Sequence, residues 1–137
     1  MENDCVFCKI ISGALPSYKL YEDQDAVVIL DRFPAAAGHA LIVSKAHRED
    51  IFDLEPELCA GLFALARRTA AALRENTGCD GINIFQNNGK AAGQQIPHFH
   101  IHAVPRFKAD PVLFHYKTLD PAKEEFEDFI DTFNWPD

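Results

Sequence analysis

Apolar residues recur at helical spacing over residues 5–12 and 56–76, which predicts a short first helix and a long second one. A glycine follows each stretch as a stop signal, and Pro56 suits the first turn of the long helix. The long helix is expected to turn six residues toward the core: Leu58, Leu62, Leu65, Thr69, Ala72 and Leu73.

A third helix is predicted near the end of the chain, where Asp120 and Pro121 form a start signal. Acidic residues occupy one side of this segment, and an apolar stripe occupies the other. The stripe consists of Phe126, Phe129, Ile130 and Phe133. Such a stripe indicates burial either in the core or against a second subunit.

Five shorter stretches are typical of β-strands because they are rich in apolar and β-branched residues or alternate apolar with polar positions. They cover residues 18–22, 26–30, 39–44, 81–86 and 97–105. The short polar segment between the first two predicts an antiparallel hairpin. Loops rich in glycine, proline or asparagine are expected at 31–38 and 87–95.

The last of these strands contains three histidines in strict alternation with apolar residues. Successive side chains of a strand point to opposite faces, so His98, His100 and His102 should share one face. The other face is an apolar anchor made of Phe99, Ile101 and Ala103. A single histidine on a strand is usually an ordinary polar residue, but half of the six histidines fall within these five positions. We therefore expect three imidazoles to line an open surface.

Length and composition limit the class of protein. The 137 residues suit one domain, and 47% apolar with 25% charged residues is typical of a folded globular chain. A net charge of -8 argues against a general nucleic-acid or anionic-membrane binder. The acidic start at residues 1–4 has no apolar run behind it, so we expect no signal peptide and no membrane span, and hence a cytoplasmic protein.

Two cysteines near the start of the chain are separated by two residues. In a reducing compartment, a pair such as Cys5 and Cys8 indicates a metal or redox site rather than part of a disulfide framework. The loop at 87–95, directly before the histidine strand, can present backbone N–H groups to an anion, although clusters of glycine and asparagine are usually plain turns.

The segment from His98 to Val104 resembles the signature of the histidine triad (HIT) family, in which three histidines alternate with apolar residues. Residues 38–43 with His47 are similar to the strand that precedes it in the family, and residues 87–94 are similar to its phosphate loop. The resemblance covers about residues 5–106 and leaves 107–137 as a C-terminal extension of one HIT-like domain spanning 1–137. It implies an α+β fold: a five-stranded antiparallel sheet with one long helix packed on it, plus short terminal helices, usually as a homodimer.

The resemblance also implies nucleotidyl hydrolase or transferase chemistry at an α-phosphate. His100 would attack phosphorus and hold the nucleotide covalently until water releases it, since neutral imidazole is a nucleophile near pH 7. His102 would hydrogen-bond the phosphoryl oxygens or the leaving group, and His39 would bind and orient the phosphate. The expected substrate is a purine nucleotide or dinucleotide, such as a nucleoside phosphoramidate or a dinucleoside polyphosphate.

Residues of the nucleotide site are implied in the same way. Asp31 would hold the ribose hydroxyls with its carboxylate oxygens. The residues expected to wall the base, for which ordinary core packing is an equal interpretation, are Phe7, Ile10, Leu15 and Ile29. The phosphate-loop residues are Asn87, Gly93, Gln94 and Gln95. Gln95 departs from the Ser or Thr that is common at its position.

One branch of the family carries a structural zinc, and the resemblance implies its ligands here as Cys5, Cys8, His47 and His98. Two thiolates from one turn and two distant imidazoles are a usual closed tetrahedral set. Alternatively, His98 is a free member of the triad and the cysteines bind nothing.

Two other function classes stay open. A metal-dependent hydrolase would use His98 with His100 or His102 as ligands around an open catalytic position. A nucleotide-binding regulator would retain the pocket but turn over slowly.

Overall fold

The structure is a computed structural model that describes residues 4–114 and 116–136; Met1, Glu2 and Asn3 of the acidic start lie outside these residues. The helices are α1 (Val6–Ser12), α2 (Pro56–Thr77) and α3 (Lys123–Thr132). The strands are β1 (Lys19–Glu22), β2 (Ala26–Leu30), β3 (Ala40–Ser44), β4 (Gly81–Phe85) and β5 (His100–Arg106). Short 3₁₀ turns lie at Ile51–Asp53 and Lys90–Ala92.

All five strands form one antiparallel sheet in the order β1-β2-β3-β5-β4. The predicted α+β fold, with one long helix and a short helix toward each end, is confirmed. Strand β5 lies between β3 and β4, so both of its edges are paired. This central position holds the histidine strand in a fixed register.

Helix α2 packs on one face of the sheet and builds the larger core. Phe99, Ile101 and Ala103 point into this core, as the alternation predicts, beside Leu62 and Leu65 of the helix. Ala72 does not join them: it is exposed, because it lies on the solvent side of the helix. The helix ends at Gly78, whose φ of 67° is the left-handed conformation that favours glycine.

Helix α1 covers part of the opposite face. Its Phe7 and Cys8 pack with Val27, Leu41 and Val43 of the sheet in a second apolar cluster. The prediction that three imidazoles line an open surface is therefore wrong. His98 is fully buried and His100 is 9% exposed, because α1 folds back over this face of the sheet.

Several predicted boundaries shift. The ladder of β5 begins at His100 rather than at residue 97, because the His98 N–H donates to the Ile96 carbonyl in a tight turn and the Phe99 N–H donates to the Arg48 carbonyl. His39 lies just before β3. Helix α3 begins at Lys123, three residues later than predicted.

The apolar stripe of α3 is exposed, with Phe126, Phe129, Ile130 and Phe133 between 49% and 71% accessible. Packing of this stripe into the core of the same chain is therefore wrong, and burial against a second subunit stays a prediction. Among the described residues, no helix is long and apolar enough to span a membrane.

Candidate active site

Four potential metal ligands meet where α1 begins. Cys5 caps the helix by accepting a hydrogen bond from the Cys8 N–H, which turns both thiols to one side. His98 Nδ1 lies 3.2 Å from Cys5 Sγ and 3.1 Å from His47 Nδ1, and Cys8 Sγ lies 3.3 Å from His47 Nδ1. A tetrahedral zinc with bonds of about 2.0–2.3 Å separates its ligand atoms by roughly 3.3–3.8 Å. The four residues thus have the spacing of a closed zinc site.

The surroundings of this cluster also suit a metal. The second ring nitrogen of His98, Nε2, lies 2.6 Å from the Ser44 carbonyl and donates to it, which leaves the Nδ1 lone pair aimed at the cluster. Burial lowers the pKa of His98 to about 4, so its imidazole is neutral, as a ligand must be. Burial raises the pKa of the Cys5 thiol, and a divalent cation is the kind of partner that would stabilise its thiolate.

His100, the middle histidine, lies in the centre of the site. Its Nδ1 is 2.7 Å from the His98 carbonyl, so Nδ1 carries the proton and the Nε2 lone pair stays available. The Phe7 ring packs edge-on against the imidazole, with centroids 4.9 Å apart. Burial lowers the pKa of His100, which keeps it neutral and nucleophilic near pH 7.

His102 and His39 form a hydrogen-bonded pair beside it. The Ala35 N–H donates to His39 Nδ1 at 3.0 Å, so His39 carries its proton on Nε2. That nitrogen lies 3.0 Å from His102 Nδ1 and donates to it. His102 consequently carries its own proton on Nε2. Burial lowers the pKa of His102 to about 4, so this neutral N–H donor form holds at physiological pH.

Asp31 lies at the end of β2, next to this pair. Its Oδ1 accepts the Phe33 N–H at 2.9 Å and so shapes the loop that follows. Its Oδ2 lies 3.5 Å from His39 Nε2. One carboxylate oxygen therefore fixes the loop, while the other faces the histidines.

The four residues expected to wall the base differ in their surroundings. Phe7 and Ile29 are buried in the second apolar cluster, and Ile10 packs on its edge. Leu15 is 39% exposed and lies outside that cluster. Phe7, Ile29 and Ile10 thus share one apolar cluster, and Phe7 joins this cluster to the site through its contact with His100.

The loop 87–95 is fixed by its own side chains. The buried Gln94 accepts the Gly89 N–H and donates to the carbonyls of Glu49 and Ile96. Asn88 Oδ1 accepts the Ile51 N–H at 2.8 Å. The amide of Gln94 is thus occupied in holding the loop, while Gly93 and Gln95 are exposed and Asn87 is half-buried.

The sequence profile of the HIT domain matches residues 12–109 of this chain. The chain therefore belongs to the HIT family. Among curated HIT relatives, an adenylylsulfatase of Arabidopsis thaliana, HINT3, is 44% identical over 110 residues, which are 80% of this chain and 56% of the plant protein. The adenosine 5′-monophosphoramidase HNT1 of Saccharomyces cerevisiae is 40% identical over 102 residues, 74% of this chain and 62% of the yeast protein.

A solved HIT structure that is similar to this chain in fold contains zinc. The zinc-bound histidine triad protein of Mycobacterium smegmatis is 44% identical, with a TM-score of 0.77 over 89% of this chain and 86% of that one. The Cys/His cluster of this HIT chain has the donor set and spacing that such a metal requires.

A second group of potential ligands, Asp31, His39 and His102, is less suited to a metal. Its facing nitrogens, His39 Nε2 and His102 Nδ1, already share a proton at 3.0 Å. A metal on His39 Nε2 would move the proton to Nδ1, where it would meet the Ala35 N–H, also a donor. The arrangement of donors thus favours a hydrogen-bonded pair.

Several residues of the site carry no signal in the sequence. The backbone groups of Ser44 and Ala35 set the tautomers of two histidines, and backbone groups are present at every position. Phe85 stacks on His102 across the sheet. A prediction of the β4–β5 register would have revealed the contact between Phe85 and His102.

Proposed function

We propose that this HIT protein is a nucleotide hydrolase that acts at the α-phosphate of a nucleoside phosphoramidate or a dinucleoside polyphosphate, through a covalent intermediate on His100. One observation carries the proposal: His100 donates Nδ1–H to the His98 carbonyl, which leaves its Nε2 lone pair for phosphorus. The activities named for the plant and yeast relatives favour an adenylyl group, hence a purine nucleotide, as the part retained.

In the first step, His100 Nε2 forms a bond to phosphorus while the bond to the leaving group breaks. The Nε2–H of His102 donates a hydrogen bond to the leaving group, which takes its proton from solvent water, and the His39 Nε2–H donates to the His102 Nδ1 lone pair and so holds the ring. In the second step, water attacks phosphorus and releases its proton to solvent, while the bond between phosphorus and His100 Nε2 breaks. Backbone N–H groups of the loop 87–95 that are not used within the loop would stabilise the charge on the phosphoryl oxygens.

We also propose roles for the nucleotide-binding residues. Asp31 Oδ2 would accept a ribose hydroxyl, since Oδ1 is occupied by the loop. Phe7, Ile10 and Ile29 would wall the base, with Leu15 at the solvent edge. Asn87, Gly93 and Gln95 would contact phosphate, whereas Gln94 would act by holding the loop in place.

The Cys5, Cys8, His47 and His98 cluster is proposed to hold a structural zinc. The metal would fix the start of α1 to the turn before β5, and so fix the His98 carbonyl that orients His100. A closed site with four protein ligands leaves no coordination position for substrate. A metal-dependent hydrolase would instead lose turnover reversibly on chelation without losing its fold.

We further propose a homodimer. Strand β4 forms an edge of the sheet with Ile84 41% exposed, and the apolar stripe of α3 is also uncovered. Sedimentation velocity of the wild type should give a species of twice the chain mass. Replacing Phe129 and Ile130 together by Ser should shift the mass toward one chain, and a monomeric wild type contradicts the proposal.

The covalent intermediate gives the direct test of the function. In a rapid-quench reaction with adenosine phosphoramidate, mass spectrometry of the intact protein under non-acidic conditions should find an adenylyl adduct on His100. His100→Ala should lower turnover by several orders of magnitude while nucleotide binding changes little. His102→Ala should lower turnover about 10²- to 10⁴-fold.

Near-normal turnover in His100→Ala, or an adduct on another histidine, would overturn the assignment. Slow turnover with tight binding in the wild type would favour a regulator.

A further inference from the structure

The ring of Phe85 covers one flat face of the His102 imidazole. The two ring centroids are 4.3 Å apart and the planes differ by 6°. Phe85 and His102 are direct partners across β4 and β5, so the stack is set by the register of the sheet. A parallel stack limits rotation of the imidazole about its Cβ–Cγ bond. Within that plane, the hydrogen bond from His39 Nε2, 3.0 Å away, holds Nδ1 toward His39.

Phe85 is itself half-buried and gains support from a residue beyond the sheet. The Phe114 ring packs against it with centroids 5.0 Å apart and planes tilted by 55°. Phe114 follows β5 by eight residues, in the segment that begins the C-terminal extension. Its contact with Phe85 therefore depends on whatever holds this segment against the sheet.

Arg106, the last residue of β5, holds the segment. Its Nε and Nη2 donate to the two Asp110 carboxylate oxygens at 3.0 and 2.7 Å, and Nη2 also donates to the Val112 carbonyl. Nη1 donates to Asn83 Oδ1 of β4 at 2.7 Å. The guanidinium carbon lies 5.3 Å from the centroid of the Phe114 ring. One side chain thus joins β4, the turn after β5 and the aromatic residue that supports Phe85.

The same contacts argue against a direct role for Arg106 in substrate binding. A guanidinium has five N–H groups, and hydrogen bonds within the chain use four of them. The bidentate pair with Asp110 also offsets its charge. A phosphate ligand would need these N–H groups free, so Arg106 is organised to hold the chain rather than an anion.

We propose that Arg106 is a positioning residue for His102: it holds Phe114 against Phe85 and thereby fixes the plane of the His102 ring. The inference rests on the proposed role of His102 as the hydrogen-bond donor to the leaving group. A misaligned donor slows the step in which the leaving group departs, while the nucleotide still binds through other residues. Arg106 thus affects turnover from outside the site.

The stack itself can be observed by NMR. The ring protons of His102, assigned by their loss in His102→Gln, should resonate upfield of an exposed histidine because they lie over the Phe85 ring. Arg106→Lys retains the charge but cannot form the bidentate fork, and Phe114→Leu removes the supporting ring. Both variants should move the His102 resonances toward the position of an exposed histidine. Phe114→Tyr, which retains the ring, should leave them near the wild-type position.

Steady-state kinetics should separate the variants in the same way as the His102 resonances. Arg106→Lys and Phe114→Leu are expected to lower kcat for adenosine phosphoramidate roughly ten- to a hundredfold with KM nearly unchanged, and Phe114→Tyr should restore most of the rate. Ile42→Val removes one methylene group from the core on the α2 side of the sheet and so controls for a general loss of stability. This variant should change neither kcat nor the positions of the His102 resonances.

Three results would overturn the inference: His102 resonances unmoved in both Arg106→Lys and Phe114→Leu, moved resonances with unchanged kcat, or a rise in KM that accounts for the whole effect. If the wild type cleaves no nucleotide substrate, the proposed function fails. The His102 resonances then still show whether Arg106 fixes the ring.

Discussion

His39 Nε2 and His102 Nδ1 face each other at 3.0 Å, and the Ala35 N–H on the far side of His39 decides which of them carries the proton. His39 is thus the donor of the pair, and His102 is left with its proton on the nitrogen that faces the site. Two neutral imidazoles and one backbone amide set the direction of both hydrogen bonds without a charged residue between them.

His39→Leu should therefore lower kcat more than it changes KM. Loss of one oriented hydrogen bond worth about 1–3 kcal/mol corresponds to roughly five- to 150-fold. His39→Gln retains an N–H donor and should lose less. Steady-state kinetics with adenosine phosphoramidate would measure both variants, and equal losses in the two would contradict the donor role.

The pKa of His102 predicts a loss of stability in acid. Because burial lowers this pKa from 6.5 to about 4, the unfolded chain binds a proton between these pH values and the native chain does not. The free energy of unfolding should fall as the pH drops from about 6.5 toward 4, by at most about 1.4 kcal/mol per pH unit for this group. Urea unfolding followed by circular dichroism at pH 7, 6 and 5 would measure the slope.

His102→Gln should have a shallower slope than the wild type over the same pH range. The Cys/His cluster is common to both proteins, so its own response to acid cancels in the comparison. Identical slopes would mean that His102 is protonated as readily in the folded chain as in the unfolded one.

Measurement of the zinc content distinguishes the thiols of the Cys/His cluster from the other thiols. Protein purified without chelator should contain about one equivalent of zinc, and Cys8→Ser should contain less than half an equivalent. The variant should also melt about 10 °C lower, as expected when a protein loses a ligand that is present well above its Kd. Cys59→Ser is the matched control, because Cys59 lies half-buried on α2, outside the cluster. Less than half an equivalent in the wild type would refute the zinc site.

Asp31→Ala should weaken binding of a ribonucleoside monophosphate by about 1.5–3 kcal/mol and leave the 2′,3′-dideoxy analogue nearly unaffected. Asp31→Asn retains an oxygen that can accept the Phe33 N–H and so keeps the loop. Calorimetric titration of the two nucleotides would distinguish the roles. Equal weakening of both nucleotides would mean that Asp31 acts only by shaping the loop.

Local patterns predicted most of the fold, because each element is specified by its own residues. The alternation of His98 to Ala103 correctly assigned Phe99, Ile101 and Ala103 to the core face. The signals that end α1 and α2 lie within one turn of those ends. The five strands formed the sheet that the family resemblance implies.

Contacts between distant parts of the chain were not predictable in this way. Burial of His98 and His100 depends on α1, which folds back across the sheet. The sequence of β5 does not indicate where α1 lies. The amide of Gln94 was expected at the phosphate but holds Gly89 and Glu49, because a buried amide bonds to the nearest backbone groups. Exposure of the α3 stripe likewise depends on what surrounds the helix rather than on its periodicity.

The side chains of β5 alternate between the site and the core with a period of two, and this limits how the chain can evolve. A one-residue insertion or deletion between His100 and Arg106 would turn the residues that follow it to the opposite faces, with imidazole in the core and Ala103 in the site. Substitutions at the apolar positions exchange one hydrocarbon for another, whereas a single-codon change in length just after His100 would turn His102 away from His39. Homologous sequences should therefore vary in composition along this strand while its length stays constant.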